Sequence, residues 1–126
     1  PKNRKKFSIF KNCGKSAVTK YKVKKNFSNV ASLIECKLLT GRTHQIRVHL
    51  SSAGNSIIGD KKYGKNKSKL IKNVDKSIAN YIVSFNRQAL HAYFLSFIHP
   101  IKKEKIKIIS KLPSDFNNLV NKLKSI

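Results

Sequence analysis

The spacing of apolar residues changes at Gly41, and this change constrains the fold more than any other feature of the sequence. Before it, residues 16–24 alternate between small or apolar side chains and lysines, which predicts a half-buried β-strand. Residues 31–39 repeat the alternation after a short polar segment, so the two strands are expected to pair antiparallel. After Gly41 the period lengthens to that of a helix.

The helix that follows has recognisable ends. Apolar residues at spacings of four and three predict its buried stripe: Ile46, Leu50, Ala53. Thr43 is the expected N-cap, and Gly54 lies where a C-terminal cap is expected. The sequence therefore predicts a strand, a glycine turn and a short helix.

Three later segments have simpler patterns. Residues 61–76 are rich in lysine, asparagine and glycine, and we interpret them as a mobile basic loop. Residues 89–98 are apolar on both faces, which predicts a strand buried from both sides. Residues 104–110 predict a further strand with Ile106 and Ile108 inward.

The C-terminal segment predicts an amphipathic helix that begins near Ser114. Its apolar stripe consists of Phe116, Leu119, Val120 and Leu123. Strands outnumber helices without a regular βαβ order, so the expected fold class is α+β: a mainly antiparallel mixed sheet with helices packed on it. Residues 1–126 are long enough for one domain with a core.

The charge of the chain indicates a polyanionic partner. Lysine and arginine number 28 against 5 acidic residues, a net charge of +23. Such a chain repels itself unless a polyanion lies nearby, and nucleic acid is the first candidate. A lysine-heavy composition is also typical of a biased genome, so part of the excess carries no functional information.

Several other classes are disfavoured. No stretch of about 18 apolar residues is present to span a membrane. Cys13 and Cys36 form no C-x-x-C pair, so neither a zinc site nor a disulfide framework is indicated, and a reducing, cytoplasmic setting is expected. The few acidic residues are scattered, and none is an evident nucleophile.

Five polar residues crowd into eight positions of the predicted turn and helix: Arg42, His44, Gln45, Arg47, His49. On a helical wheel Arg47 flanks the buried stripe, so its half-desolvated guanidinium needs a carboxylate or a phosphate. Arg42 precedes the free amides of the first turn and can offer donors to phosphate, although a solvated surface arginine is an equal alternative. His44 and Gln45 can read a base edge or a sugar hydroxyl. His44 and His49 lie about 140° apart on a helix, which disfavours a metal site.

Three stretches together resemble the RluA-type pseudouridine synthases. TGRTHQIRVHLSSAGNSIIGDKKYG at 40–64 resembles the family's third motif, with its GR-[T/S]-HQ-[I/L]-R-VH core and following GD-x-x-YG. KSAVTKYKV at 15–23 resembles the strand upstream of that motif, and RQALHAYFLSFIHP at 87–100 resembles the strand downstream. The resemblance spans almost the whole chain and keeps the family's order.

The resemblance implies isomerisation of uridine to pseudouridine in RNA, with 23S rRNA as the expected substrate and no cofactor or metal. The family's aspartate nucleophile lies in a G-R-L-D motif that precedes these strands and is absent from residues 1–126. The chain is therefore expected to be about half of a pseudouridine synthase catalytic domain, its C-terminal portion, and inactive alone. The start at Pro1 and the absence of methionine fit a fragment.

The resemblance also implies roles for individual residues. Arg47 matches the active-site arginine that pairs with the nucleophile, and Arg42, Thr43, His44 and Gln45 match the part that lines the RNA-binding cleft. Asp60 and His49 are expected to be structural. A monomer without membrane or metal is expected. Two alternatives remain: a non-catalytic basic RNA-binding module, and a truncated gene product that keeps the fold without the function.

Overall fold

The computed structural model describes residues 8–11, 17–64, 72 and 74–126. In order along these residues it contains β1 (Ser8–Lys11), β2 (Val18–Phe27), β3 (Ala31–Leu38), α1 (Gln45–Ser52), α2 (Lys76–Ser84), β4 (Phe94–Ile98), β5 (Lys105–Ile109) and α3 (Ser114–Lys124). All described strand pairs are antiparallel. The α+β class is therefore confirmed.

The first sheet has the strand order β1-β2-β3. The predicted pairing of β2 with β3 is confirmed, with Tyr21 opposite Cys36, and a bulge interrupts the register between Val23 and Lys25. Strand β2 extends beyond its predicted end at residue 24, and its last residue, Phe27, is buried in the core. The chain reverses after it at Ser28, which adopts a positive φ of 53°.

The core lies where α2 and α3 pack against one end of the first sheet. The predicted stripe of α3 is confirmed, since all four of its apolar residues are buried. They meet Phe27 from β2 together with Ile78 and Ile82 from α2. Helix α2 was not predicted, and its first residue, Lys76, was assigned to the basic loop, which is wrong. Residues 61–64 of that predicted loop form a turn, and residues 65–71 and 73 lie outside the described residues.

The second sheet, a hairpin of β4 and β5, differs most from expectation. Residues 89–98 were expected to be buried on both faces, but Leu95 is 57% exposed and Ile98 is 66% exposed. Ile106 is half-buried, whereas Ile108 is exposed. Both predicted strands are confirmed, because β4 and β5 lie within the two predicted ranges. The burial predicted for residues 89–98 and for Ile108 is wrong, because a strand that is apolar on both faces needs a packed layer on each side, and the described residues do not cover both faces of this hairpin.

Helix α1 begins one residue later than predicted. Thr43 is not its N-cap: the helix starts at Gln45, and His44 occupies the cap position without a side-chain hydrogen bond to the helix. Gly54 does end the helix as predicted, with φ of +84° and its N–H bonded to the Ser51 carbonyl at 3.0 Å. Of the expected apolar stripe only Leu50 is buried, because Ile46 is half-buried and Ala53 is exposed.

Candidate functional site

Most of the buried side chains of α1 are polar, and Gln45, at the start of the helix, makes four of their hydrogen bonds. Its Oε1 accepts from Thr40 Oγ1 at 2.7 Å and from the Arg42 N–H at 3.1 Å. Its Nε2 donates to the Val18 carbonyl at 3.0 Å and to Thr19 Oγ1 at 2.9 Å. The backbone donor and the backbone acceptor fix which end of the amide is which.

These bonds change the expectation for Gln45. An amide side chain has two donors and two acceptor positions, and all four are used inside the chain. The residue is also buried. The geometry therefore does not fit a base-reading role, and Gln45 instead holds the start of α1 on β2.

Thr19 and His49 continue this network. Thr19 Oγ1 accepts from Gln45, so its own hydrogen is available for His49 Nδ1, which lies 2.8 Å away. Both side chains are buried, and burial lowers the pKa of His49. A neutral imidazole with Nδ1 as acceptor satisfies this arrangement, in agreement with the structural role expected for His49.

Arg47 lies outside the hydrogen-bond network of Gln45 and pairs with Asp60. Its Nε donates to Oδ2 at 2.9 Å and its Nη2 donates to Oδ1 at 2.8 Å. The side chains are 13% exposed for Arg47 and 0% for Asp60. The hydrogen bonds from Arg47 hold the pKa of Asp60 below its usual range, and those bonds raise the pKa of Arg47. The partner that the burial of Arg47 required is thus a carboxylate of this chain.

The ion pair with Asp60 separates two properties of Arg47: its need for an anion and its match to the family's active-site arginine. Desolvation of Arg47 called for an anion, and Asp60 meets that requirement. The match to the family's active-site arginine rests on the motif alone. Burial therefore gives no independent support for pairing between Arg47 and a nucleophile.

The turn 59–64 is built to hold Asp60. Besides Arg47, Asp60 Oδ1 accepts the N–H groups of Lys62 at 3.2 Å and Tyr63 at 3.0 Å. Gly59 has φ of +81°, and a Cβ on it would lie 1.9 Å from the Arg87 carbonyl oxygen. Glycine is therefore required there for both backbone conformation and space. A Cβ on Gly64 would likewise lie 2.2 Å from the Asp60 carbonyl oxygen.

Tyr63 joins Arg47 to the exposed start of α1. The Arg47 Cζ lies 5.0 Å from the centre of the Tyr63 ring, within range of a cation–π contact. The Tyr63 hydroxyl lies 3.0 Å from His44 Nδ1. The sequence reasoning did not single out Tyr63, although the GD-x-x-YG pattern contained it.

Arg42, Thr43 and His44 are all exposed. His44 has φ of +52°, a left-handed conformation that is uncommon for any residue except glycine. The structure therefore places three of the five predicted site residues on one exposed turn. Arg47 contacts the same Tyr63 as His44, while Gln45 lies beneath them.

A second arginine–aspartate pair ties residue 87 to α3. Arg87 Nε donates to Asp115 Oδ2 at 2.7 Å, and Nη2 donates to Oδ1 at 2.8 Å. The side chains are 36% exposed for Arg87 and 44% for Asp115. Asp115 lies in the first turn of this helix, and its Oδ1 also accepts the Phe116 N–H at 2.8 Å.

The remaining titratable groups offer no further catalytic arrangement in the described residues. Glu35 accepts a hydrogen bond from Tyr93 at 2.5 Å and pairs with Lys22 at 3.4 Å. Burial raises the pKa of the Cys36 thiol to about 11, so it stays protonated at neutral pH. No group of three or more metal-binding side chains occurs in this part of the chain. None of its helices is both long enough and apolar enough to cross a membrane.

Three known proteins similar to this chain are named for the same activity, and a family model agrees with them. The family model described as RNA pseudouridylate synthase matches residues 1–52. The ribosomal large subunit pseudouridine synthase D of Zymomonas mobilis is 46% identical over 122 residues, which is 96% of this chain and 36% of that protein. The corresponding protein of Haemophilus influenzae is 41% identical over 89% of this chain and 34% of its own length. That of Xanthomonas campestris is 38% identical over 98% of this chain and 37% of its own length.

The chain thus spans about a third of the length of these curated relatives. The similarity nevertheless extends over nearly all of this chain, including the turn and helix that carry Arg42 to Asp60.

Proposed function

This chain belongs to the RluA-type RNA pseudouridine synthase family, and from that premise we propose that the whole protein isomerises uridine to pseudouridine in large-subunit ribosomal RNA. The observation that carries the proposal is identity of 38–46% to three proteins named for this activity, over 89–98% of the chain. The expected substrate is 23S rRNA.

Arg47 is the residue proposed to act at the reacting centre. In the reaction the resemblance implies, an aspartate nucleophile takes part in cleaving the bond between uracil and ribose, and the base rejoins through carbon. That aspartate comes from a part of the whole protein outside residues 1–126. Arg47 is proposed to bind and orient it, through the guanidinium N–H groups that Asp60 does not occupy.

The exposed turn before α1 is the proposed RNA contact. Arg42 offers a guanidinium to phosphate, while Thr43 and His44 offer donors and acceptors to a sugar or a base. The target uridine must leave its stack to be reached, which favours a substrate in a loop or a distorted helix. Gln45 supports this surface from below by its four internal hydrogen bonds. The whole protein is proposed to act in the cytoplasm as a monomer, with no metal or cofactor.

An arginine comparison in the whole protein tests the role of Arg47. Arg47→Ala and Arg87→Ala each remove one arginine from a bidentate pair, but only the first removes a proposed active-site group. Pseudouridine in large-subunit rRNA is measured by carbodiimide labelling and primer extension. Arg47→Ala is expected to lower the rate at least about 100-fold, and Arg87→Ala less than about threefold. Equal rates in wild type and Arg47→Ala would contradict the assignment.

A non-catalytic RNA-binding module is the second candidate, because the net charge of +23 alone supports strong contact with phosphate. It predicts RNA affinity that falls steeply with salt, without any pseudouridine formation by the whole protein. Detection of pseudouridine formation would eliminate it. A flat salt response would show that the lysine excess is compositional.

A further inference from the structure

We propose that Asp60, assisted by Tyr63, is a positioning residue for Arg47: it fixes which edge of the guanidinium faces a second anion and balances the guanidinium charge. The inference rests on the proposed function, because that second anion is the nucleophilic carboxylate. Asp60 itself touches neither RNA nor the reacting atoms, since its side chain is 0% exposed.

Asp60 occupies one defined edge of the Arg47 guanidinium. A guanidinium has a side edge, formed by Nε and one Nη, and an end edge, formed by the two Nη atoms. Asp60 takes the side edge with two parallel hydrogen bonds of 2.9 and 2.8 Å. Within the described residues, Nη1 makes no hydrogen bond. The end edge therefore keeps donors in a fixed direction for one further anion.

The Asp60 carboxylate is itself held in place by the backbone of its turn. Its Oδ1 accepts two backbone N–H groups of the same turn, at 3.2 and 3.0 Å. Gly59 and Gly64 close this turn so tightly that a Cβ on either would collide with a backbone carbonyl oxygen. A carboxylate fixed by backbone bonds can transmit its orientation to Arg47, whereas a flexible surface carboxylate cannot.

The flat face of the Arg47 guanidinium is also restrained, by the ring of Tyr63. The Tyr63 ring lies 5.0 Å from Arg47 Cζ, so rotation of the guanidinium about its own axis is restricted by an aromatic surface as well as by Asp60. The Tyr63 backbone is fixed too, because its carbonyl accepts hydrogen bonds from Ser51 Oγ at 2.8 Å and Ser56 Oγ at 3.1 Å. One edge and one face of Arg47 are thus held by a single turn.

The charge balance has a chemical consequence. Arg47 and Asp60 together carry no net charge. A second carboxylate would therefore accept hydrogen bonds from Arg47 while the positive charge of Arg47 is already neutralised by Asp60. The other titratable side chains described in contact with this group are His44, Lys62 and Tyr63. Removal of the Asp60 charge leaves Arg47 unbalanced, which favours the ionised form of the second carboxylate and lowers its basicity.

The test compares two aspartates of the whole protein. Asp60→Asn removes the charge and one bond to Arg47, and Asp115→Asn makes the same chemical change at the Arg87 pair. For Asp60→Asn, kcat on large-subunit rRNA is expected to fall about 10–100-fold with KM changed less than about twofold. The acidic limb of kcat against pH is expected to move to lower pH. Asp115→Asn is expected to match wild type in both.

Two outcomes would overturn the proposal. The first is an Asp60→Asn enzyme with the kcat and pH profile of Asp115→Asn, while Arg47→Ala is inactive; the proposed function would then stand without the positioning role. The second is a double variant, Arg47→Ala with Asp60→Asn, that is much slower than Arg47→Ala alone, because a residue acting only through Arg47 adds nothing once Arg47 is gone. A whole protein without any activity would overturn the proposed function, and this proposal with it.

A further pair of variants covers the case in which Asp60→Asn does not fold. Tyr63→Phe keeps the ring beneath Arg47, and Tyr63→Leu removes it while the backbone bonds of the turn remain. Tyr63→Leu is expected to lower kcat about tenfold more than Tyr63→Phe does. Equal kcat for the two would overturn the part assigned to the ring.

Discussion

The two arginine–aspartate pairs of this chain have nearly the same geometry in different surroundings. Both are bidentate, and their four hydrogen bonds measure 2.7–2.9 Å. Asp60 is fully buried and is also held by two backbone N–H groups of its own turn. Asp115 is substantially exposed at the start of α3.

Hydrogen-bond geometry alone therefore does not set how much an ion pair contributes to stability. Water and salt screen the exposed pair, and such pairs contribute little to stability. The buried carboxylate must keep all its partners, because each one left unsatisfied carries a desolvation penalty. Gly59 connects the two regions, since its backbone lies against the Arg87 carbonyl.

Neutralising each aspartate gives the largest expected contrast. Asp60→Asn in the whole protein removes a buried charge that three groups bond to, and thermal unfolding is expected to occur about 5–10 °C lower. Asp115→Asn is expected to lower the transition by about 2 °C or less. Differential scanning calorimetry measures both melting temperatures, and similar shifts for the two variants would contradict the difference expected between the buried and the exposed pair.

The glycine between the pairs offers the next contrast. Gly59→Ala adds a Cβ to a position with φ of +81° and brings it against the Arg87 carbonyl oxygen. Gly54→Ala is the matched control, because its φ is +84° and a Cβ there meets nothing within 4 Å. The control isolates the backbone cost, about 1 kcal/mol, and Gly59→Ala is expected to cost about twice that or more in chemical denaturation. Equal costs would show that the close approach to Arg87 does not matter.

The two pairs should also differ, by a smaller amount, in how much each contributes to the loss of folding stability at acid pH. Their arginines hold the pKa of both Asp60 and Asp115 below the usual range. A depressed carboxyl pKa stabilises the folded state above the unfolded value, near pH 4, and that stability is lost as pH falls through the folded value. Wild type should therefore lose stability below about pH 4, and Asp60→Asn should flatten this loss more than Asp115→Asn. Urea unfolding measured from pH 7 to pH 3 tests this ranking of the two variants. A larger effect of Asp115→Asn than of Asp60→Asn would contradict it.

Salt gives the smallest expected effect. Raising NaCl from about 0.1 to about 1 M shortens the screening length from about 10 to about 3 Å. The difference in melting temperature between wild type and Asp115→Asn is then expected to vanish. The difference for Asp60→Asn should persist, because its bonds are shielded from solvent. Loss of both differences at high salt would mean that the buried pair is solvated in solution.

The sequence predicted some elements well and others poorly, for identifiable reasons. The β2–β3 pair and the stripe of α3 were predictable because alternation and helical spacing record which face is buried. The N-cap of α1 was predicted one residue too early, because His44 adopts a left-handed conformation that no local sequence pattern indicates. The hairpin of β4 and β5 was expected to be covered because apolar composition shows what a strand prefers to contact, without showing which residues are there to contact it.

In the candidate site, too, some features were predictable from the sequence and others were not. The need of Arg47 for an anion was inferred from its place beside a stripe that was expected to be buried, and Asp60 supplies the anion from 13 residues further along the chain. The sequence alone assigned Gln45 to RNA, whereas the structure uses its amide completely to hold α1 on β2. Tyr63 was present in a quoted motif, but only its position beneath Arg47 gives it a role.

Sequence information alone was sufficient for the local periods of strand and helix, the excess of positive charge and the motif of the family. Only the tertiary structure decided which anion meets Arg47, which polar side chains are buried and which apolar strand is left exposed. The reason is physical: periodicity and backbone preference act over a few residues, whereas burial and hydrogen-bond partners depend on segments that are distant in sequence and meet only in the fold.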